Sequence, residues 1–223
     1  MKAIVVALAV TYPFLAHYAL ASGREPALVA SVVVLLAAIL LPGLARGSRL
    51  AIVFAGLASI GLYGLVQADL VRLVLFVPPV AITAGLAALF GASLRDGRTP
   101  LIQKLVLAIH PPDDPDLPDI RIYTRRLTAI WAALLASLAI ANFLLALVAA
   151  PGGVLDALGT ATPFAVSIET WSLFANFIGY AAIAALFAIE YAFRKRVFPR
   201  QPYRNFADFM QRVARVAPAV FRS

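Results

Sequence analysis

The sequence contains no cysteine among its 223 residues. This absence excludes disulfide bonds, thiolate metal sites, iron–sulfur clusters and cysteine nucleophiles. Charged residues are also scarce, at 13%, whereas hydrophobic residues make up 62% of the chain. Because a soluble domain is only about half apolar, the composition predicts an integral membrane protein.

Six hydrophobic runs are long enough to cross a bilayer, which takes about 20 residues. They predict an all-α polytopic membrane protein, a six-helix transmembrane bundle with short interfacial amphipathic helices. The predicted transmembrane domain covers residues 1–198, including a cytoplasmic loop at 91–126, and a basic amphipathic cytoplasmic tail covers 199–223. The six spans are predicted at 3–21, 27–44, 50–67, 73–90, 127–149 and 171–192.

The distribution of basic residues predicts the orientation of these spans. The chain carries 19 Lys and Arg against 11 Asp and Glu, a net charge of +8. With both termini cytoplasmic, 17 basic side chains fall on the inner side and only Arg24 and Arg72 fall outside. This asymmetry follows the positive-inside rule, so the basic charge indicates membrane orientation and not a nucleic-acid partner.

The first span has an alternative interpretation as a secretory signal peptide. Lys2, a short apolar run and Ala19-Leu20-Ala21 before Ser22 fit such a peptide and its cleavage site, with small residues at 19 and 21. Pro13 and His17 are unusual in a signal peptide, so we expect a retained span. Cleavage would leave five spans in the same topology.

A short interfacial helix is predicted after the fourth span. Apolar residues recur at three- and four-residue spacing over 101–109, following a helix start at Thr99 and Pro100. Four aspartates then follow within seven residues, but interspersed prolines prevent the helical spacing that intramembrane prenyltransferases use to hold magnesium. We therefore expect a solvated loop with no metal or cofactor. The four are Asp113, Asp114, Asp116 and Asp119.

Basic side chains at the inner ends of the spans are candidates for binding an anionic group. Guanidinium groups suit phosphate, so a phospholipid headgroup or an acyl-carrier phosphopantetheine could bind; anchoring that only sets topology is the simpler alternative. Glu190 is expected to pair with Arg194 at i,i+4, or else to reach Arg98 or Arg125 and close an inner polar pocket, or to carry protons. The candidate ligand-binding residues are Arg95, Arg98, Tyr123, Arg125, Arg126, Glu190 and Arg194.

Three polar side chains lie inside the predicted spans, where such groups are costly. At ~1.5 Å per residue, His17, Asn142 and Asn176 lie about 6, 10 and 8 Å from the outer ends, so they could form one polar cluster. A hydrogen bond between the two asparagines is the structural interpretation. His17 is a candidate proton relay or base, yet no Ser or Asp at matching depth completes a nucleophilic set. We expect His17 to bond Tyr63 or a neighbouring helix, and we predict no catalytic residue.

The tail is predicted to form an amphipathic helix from Tyr203 onward. Its apolar face would lie on the inner leaflet, where anionic lipid contributes about 1 kcal/mol per basic residue. A docking surface for a cytosolic partner is the alternative.

Several motifs together carry a resemblance to a known family. They are Tyr12-Pro13 with His17-Tyr18, Arg98-Thr99-Pro100-Leu101-Ile102, Tyr123-Thr124-Arg125-Arg126 with Thr128 and Trp131, Trp171-Ser172-Leu173-Phe174-Ala175-Asn176, and Glu190-Tyr191 with Arg194 and Phe198-Pro199. With the final basic helix, these motifs resemble small predicted bacterial inner-membrane proteins found with aryl-polyene and xanthomonadin-type pigment biosynthesis genes. The resemblance covers nearly the whole chain.

The resemblance implies residence in a bacterial inner membrane beside fatty-acid-like synthases, acyltransferases and a lipid exporter. Members are sometimes labelled ketosynthase, but a ketosynthase needs a cysteine nucleophile and a soluble thiolase-type domain, which this sequence lacks. The resemblance brings no catalytic residues. We therefore expect a non-enzymatic accessory protein that organises or moves an acyl or polyene-type lipid, contacting anionic headgroups, acyl-carrier partners or lipid-synthesis and export proteins. The alternatives are a small-molecule or lipid transporter and an intramembrane acyl- or glycosyl-type transferase.

Overall fold

The computed structural model describes residues 2–109, 117–160, 162–198 and 206–220. Within these ranges, six helical stretches are long and apolar enough to cross a membrane, as expected for a multi-pass membrane protein. They are Ala3–Ser22, Glu25–Leu44, Arg49–Gln67, Val71–Ser93, Asp119–Val148 and Ile168–Val197.

The described secondary structure is almost entirely helical. Two-residue strands β1 (Ala149–Ala150) and β2 (Val166–Ser167) form a parallel pair that the all-α prediction missed. Such a short pairing leaves no alternating pattern in the sequence. The helices are α1 (Lys2–Ser22), α2 (Glu25–Leu44), α3 (Arg49–Gln67), α4 (Val71–Val74), α5 (Val77–Ser93), α6 (Leu101–Leu107), α7 (Leu117–Val148), α8 (Val154–Ala157), α9 (Ile168–Leu173), α10 (Gly179–Val197) and α11 (Phe206–Val220).

The predicted spans 3–21, 27–44 and 50–67 agree with α1, α2 and α3 to within about two residues at each end. The predicted fourth span is interrupted, since α4 ends at Val74 and α5 begins at Val77. Pro78 and Pro79 therefore lie in the first turn of α5. A missing backbone N–H has no cost in a first turn, because that group has no intrahelical acceptor there.

The fifth span begins ten residues earlier than predicted. Helix α7 starts at Leu117, not at 127, so the predicted loop at 91–126 is too long. Asp119 belongs to the first helical turn, where a carboxylate interacts favourably with the helix dipole. The prediction that all four aspartates lie in a loop is wrong at this residue, which is exposed but helical, and the other three lie outside the described residues.

The sixth span is also longer than its predicted range of 171–192. It begins with α9, where the Ser167 hydroxyl accepts a hydrogen bond from the backbone N–H of Thr170 at 3.1 Å. A π-helical turn at Phe174–Ile178 follows, and α10 then continues to Val197. The charged residues near Val197 ended the hydropathy signal but not the helix.

The helices form two compact units. The first unit comprises residues 1–81 with 140–180. Its α1 packs along α2 and against α9, and a buried core surrounds Trp171, which is completely inaccessible to solvent.

The second unit comprises residues 82–139 with 181–223. One of its buried clusters is formed by Leu127, Trp131 and Leu135 on α7. Another joins Val106 on α6, Ile120 on α7 and Phe198 after α10. The described part of the tail belongs to this unit, since α11 packs against α6.

Candidate functional site

The second unit contains a cavity of about 340 Å³, which we call the apolar cavity. Its lining comes from α5, α6, α7, α10, Phe198 and α11 and is mostly apolar. The volume lies at the lower end of the range for small-molecule sites, roughly 300–1,000 Å³. The lining side chains are Leu86, Phe90, Ile102, Leu105, Val106, Ile120, Tyr123, Thr124, Leu127, Trp131, Leu135, Ile183, Phe187, Glu190, Arg194, Phe198, Phe209, Met210 and Val213.

Three of the predicted ligand-binding residues meet at this cavity. Arg194 Nε lies 2.9 Å from Glu190 Oε1, which confirms the predicted i,i+4 ion pair, and the Tyr123 hydroxyl donates to the same oxygen at 3.1 Å. Glu190 and Arg194 are only 9% and 8% exposed. The carboxylate therefore bonds within its own unit to Tyr123 and Arg194, and the alternative that it reaches Arg98 or Arg125 is wrong.

Aromatic rings frame the rest of the cavity. Trp131 lies 4.6 Å from Phe187 between ring centroids and 6.3 Å from Phe90. The Arg194 guanidinium lies 4.1 Å above the centre of the Phe209 ring of α11, a cation–π contact. This contact joins the amphipathic helix to the ion pair.

The four other predicted ligand-binding residues lie on the surface of the same unit. Arg95, Arg98, Arg125 and Arg126 are all exposed. Arg125 Nη2 donates to the backbone carbonyl of Leu94 at 3.0 Å. These side chains are accessible to an anion, and their role in binding one stays a prediction.

The predicted polar cluster lies in the first unit, where its partner is a residue that the sequence interpretation missed. His17 Nδ1 lies 3.0 Å from the hydroxyl oxygen of Ser172. Asn176 Nδ2 donates to the Ser172 carbonyl at 3.0 Å and approaches its hydroxyl oxygen at 3.2 Å. Tyr63, the partner proposed for His17, is 68% exposed.

The expectation that His17 would bond Tyr63 or a neighbouring helix is met by its second alternative, since Ser172 belongs to α9. The statement that no serine lies at a matching depth is wrong. The predicted span began at residue 171, which placed Ser172 at its very start. The helix in fact begins at Ile168, four residues before Ser172. Ser172 therefore lies one turn inside. The spacing of Ser172 and Asn176, one helical turn apart, was the available signal for this pair.

Asn142 belongs to the same unit and is 2% exposed. Its backbone carbonyl accepts a hydrogen bond from Trp171 Nε1 at 3.1 Å. The Trp171 ring in turn meets Phe76 edge to face at 4.4 Å. A direct bond between the side chains of Asn142 and Asn176 stays a prediction.

An open depression of about 510 Å³ lies beside His17. Its lining is formed by His17, Ala21, Glu169, Thr170 and Leu173. Neither predicted asparagine belongs to this lining, because both are buried.

No family model, curated protein or solved structure matches this chain.

Proposed function

We propose that this chain is a non-enzymatic inner-membrane accessory protein that holds one acyl or polyene-type chain and organises or helps to move it. The observation that carries the proposal is the apolar cavity, whose lining is apolar apart from Thr124 and the Tyr123, Glu190 and Arg194 group. An extended apolar chain suits such a lining, because it needs no hydrogen bonds from the protein.

The charge of the lining favours a chain whose buried part is uncharged. Glu190 and Arg194 neutralise each other at 2.9 Å, so they offer no net charge to a ligand. An ionised group inside the cavity would need its own partner, at high cost. We therefore propose that the headgroup or carrier stays outside, near the exposed Arg95, Arg98 and Arg125.

The amphipathic tail supplies part of this binding site. Phe209, Met210 and Val213 of α11 line the cavity, whereas Arg212 pairs with Asp208 at 3.1 Å. In the proposed orientation both termini are cytoplasmic, as the basic residues predict. Anionic lipid headgroups and acyl-carrier or lipid-export proteins of a bacterial inner membrane would then meet the same basic face.

A binding experiment with cis-parinaric acid, a fluorescent fatty acid with a conjugated tetraene, tests the cavity directly. Val213→Trp fills it from α11, and Ala214→Trp is the matched control, because Ala214 is exposed and does not line the cavity. We expect V213W in nanodiscs to bind the probe about tenfold more weakly, because the tryptophan ring occupies part of the cavity. A probe that still enters would overpack the site, at a cost of about 1–3 kcal/mol. Equal affinity of the two variants, with unchanged helical content, would place the probe elsewhere and defeat the proposal.

Deletion of the protein in its native cell tests the physiological role. Inner and outer membranes are extracted separately, and polyene absorbance and lipid mass are read in each fraction. Product retained in the inner membrane would support a role in movement, and product absent from both would support a role in organising synthesis. An unchanged distribution would contradict the proposal.

A further inference from the structure

The hydrogen bonds around Ser172 have a defined direction. The Ser172 carbonyl can only accept, so the side-chain atom of Asn176 that lies 3.0 Å from it is the amide nitrogen. The same nitrogen lies 3.2 Å from the Ser172 hydroxyl oxygen and donates to it. The hydroxyl hydrogen then has His17 Nδ1, at 3.0 Å, as its acceptor among the described residues.

A hydroxyl oxygen has two lone pairs, so His17 Nδ1 can either donate to it or accept from it. Only the second arrangement uses the hydroxyl hydrogen, and in that arrangement the ring proton lies on Nε2. Phe177 meets the imidazole edge to face at 5.3 Å and restricts its rotation. Ser172 is fully buried and Asn176 is 5% exposed, so the two groups that orient the ring are held within the helix packing.

The described residues give Nε2 no hydrogen-bond partner, although His17 lines the open depression. The same depression is lined by the exposed carboxylate of Glu169, by Thr170 and by the apolar side chains of Ala21 and Leu173. The site thus combines one neutral donor with one anionic acceptor. A ligand that matches both carries an oxygen acceptor and an ammonium group.

We propose that this depression binds a phosphoethanolamine-type headgroup, with a phosphate oxygen accepting from His17 Nε2–H and the ammonium group pairing with Glu169. Ser172 and Asn176 are positioning residues that keep the proton on Nε2. The site lies in the first unit and goes beyond the proposed role of the apolar cavity. Either proposal can fail without the other.

Nitrogen-15 NMR of His17 measures both the position of the ring proton and the binding of a ligand at Nε2. The sequence has two histidines, so His110→Gln leaves His17 as the single labelled ring. In phosphatidylcholine nanodiscs, we expect Nε2 to carry the proton and Nδ1 to be unprotonated. A ring protonated on Nδ1 alone, or an even mixture of tautomers, would overturn the assigned hydrogen-bond direction.

Titration with phosphatidylethanolamine then tests the ligand. We expect a saturable shift of the Nε2 resonance, and Glu169→Gln should raise the apparent dissociation constant about two- to fivefold, the effect of one exposed ion pair. Glu25→Gln, which removes another exposed carboxylate of the same unit, is the matched control and should change nothing. Glu169 is exposed, so its substitution does not threaten folding.

Three outcomes would overturn the headgroup assignment: no shift with either phosphatidylethanolamine or free O-phosphoethanolamine, an equal shift with phosphatidylglycerol, or equal effects of E169Q and E25Q. Free O-phosphoethanolamine distinguishes the source of the ligand. A saturable shift with the free compound would assign the site to a soluble headgroup. A shift only with the lipid would assign it to the membrane. Both confirm the proposed chemistry.

Discussion

The two units treat their buried polar groups in different ways. In the first unit, the side chains of His17, Ser172 and Asn176 bond to one another, and Trp171 bonds to backbone. In the second unit, Glu190 and Arg194 form an ion pair beside a cavity lined by apolar groups. The polar network fixes the orientation of its side chains, whereas the ion pair borders an apolar volume that a guest can occupy. Substitution of Trp171 in the first unit and of Arg194 in the second tests this difference.

Trp171→Ala should have the largest effect. The side chain is completely buried, meets Phe76 at 4.4 Å and donates to the Asn142 carbonyl at 3.1 Å. Truncating a buried tryptophan leaves a large void and removes one buried hydrogen bond, so we expect a loss of about 4 kcal/mol in the free energy of unfolding. Unfolding by sodium dodecyl sulfate in mixed micelles measures this loss.

Leu173→Ala is the control for that substitution, because Leu173 is 45% exposed and lies two residues away in the same helix. Its effect should be below about 1 kcal/mol. If both variants unfold alike, Trp171 is not the packing centre of the first unit. Trp171→Phe, which keeps a ring but loses the donor, separates packing from hydrogen bonding.

Removing one member of the ion pair in the second unit should have the next largest effect. Glu190 is 9% exposed, and Arg194→Ala removes the cation that pairs with its carboxylate. We therefore expect a loss of about 3 kcal/mol in the free energy of unfolding. The double variant E190L/R194L removes both charges and should be less destabilised than R194A. The same unfolding assay measures both. A double variant at least as unstable as R194A would show that the pair itself, and not the unpaired charge, carries the stability.

The sequence predicted the spans better than the sites. Hydropathy located all six spans, because apolar length is a local property of the chain. It misplaced one end of each of the two longest spans, because the helix continues past the apolar run. The fifth span begins before Asp119, and the sixth continues through Arg194 to Val197. Long charged side chains at a helix end can reach water while the backbone stays helical. Helix boundaries there depend on the surroundings as well as on hydropathy.

The sites depended on contacts between distant parts of the chain. The Glu190–Arg194 pair was predictable, since both residues lie one turn apart on one helix. The bond from His17 to Ser172 joins residues 155 positions apart, and no pattern in the sequence links them. Likewise, each helix that lines the apolar cavity shows an ordinary apolar face. Only their packing reveals the space between them.

Arg125→Ala should have the smallest effect on stability and gives the sharpest test of anion binding. Arg125 is exposed and donates to the Leu94 carbonyl at 3.0 Å, so its loss should cost less than about 1 kcal/mol. If the exposed arginines bind a headgroup or carrier phosphate, mass spectrometry should detect less anionic lipid co-purifying with R125A, with unchanged topology. Arg46→Ala is the control, because Arg46 is equally exposed, predicted to lie on the same side, and part of the first unit. Equal lipid recovery from R125A, R46A and the parent chain would contradict anion binding and leave Arg125 with a structural role at the end of α5.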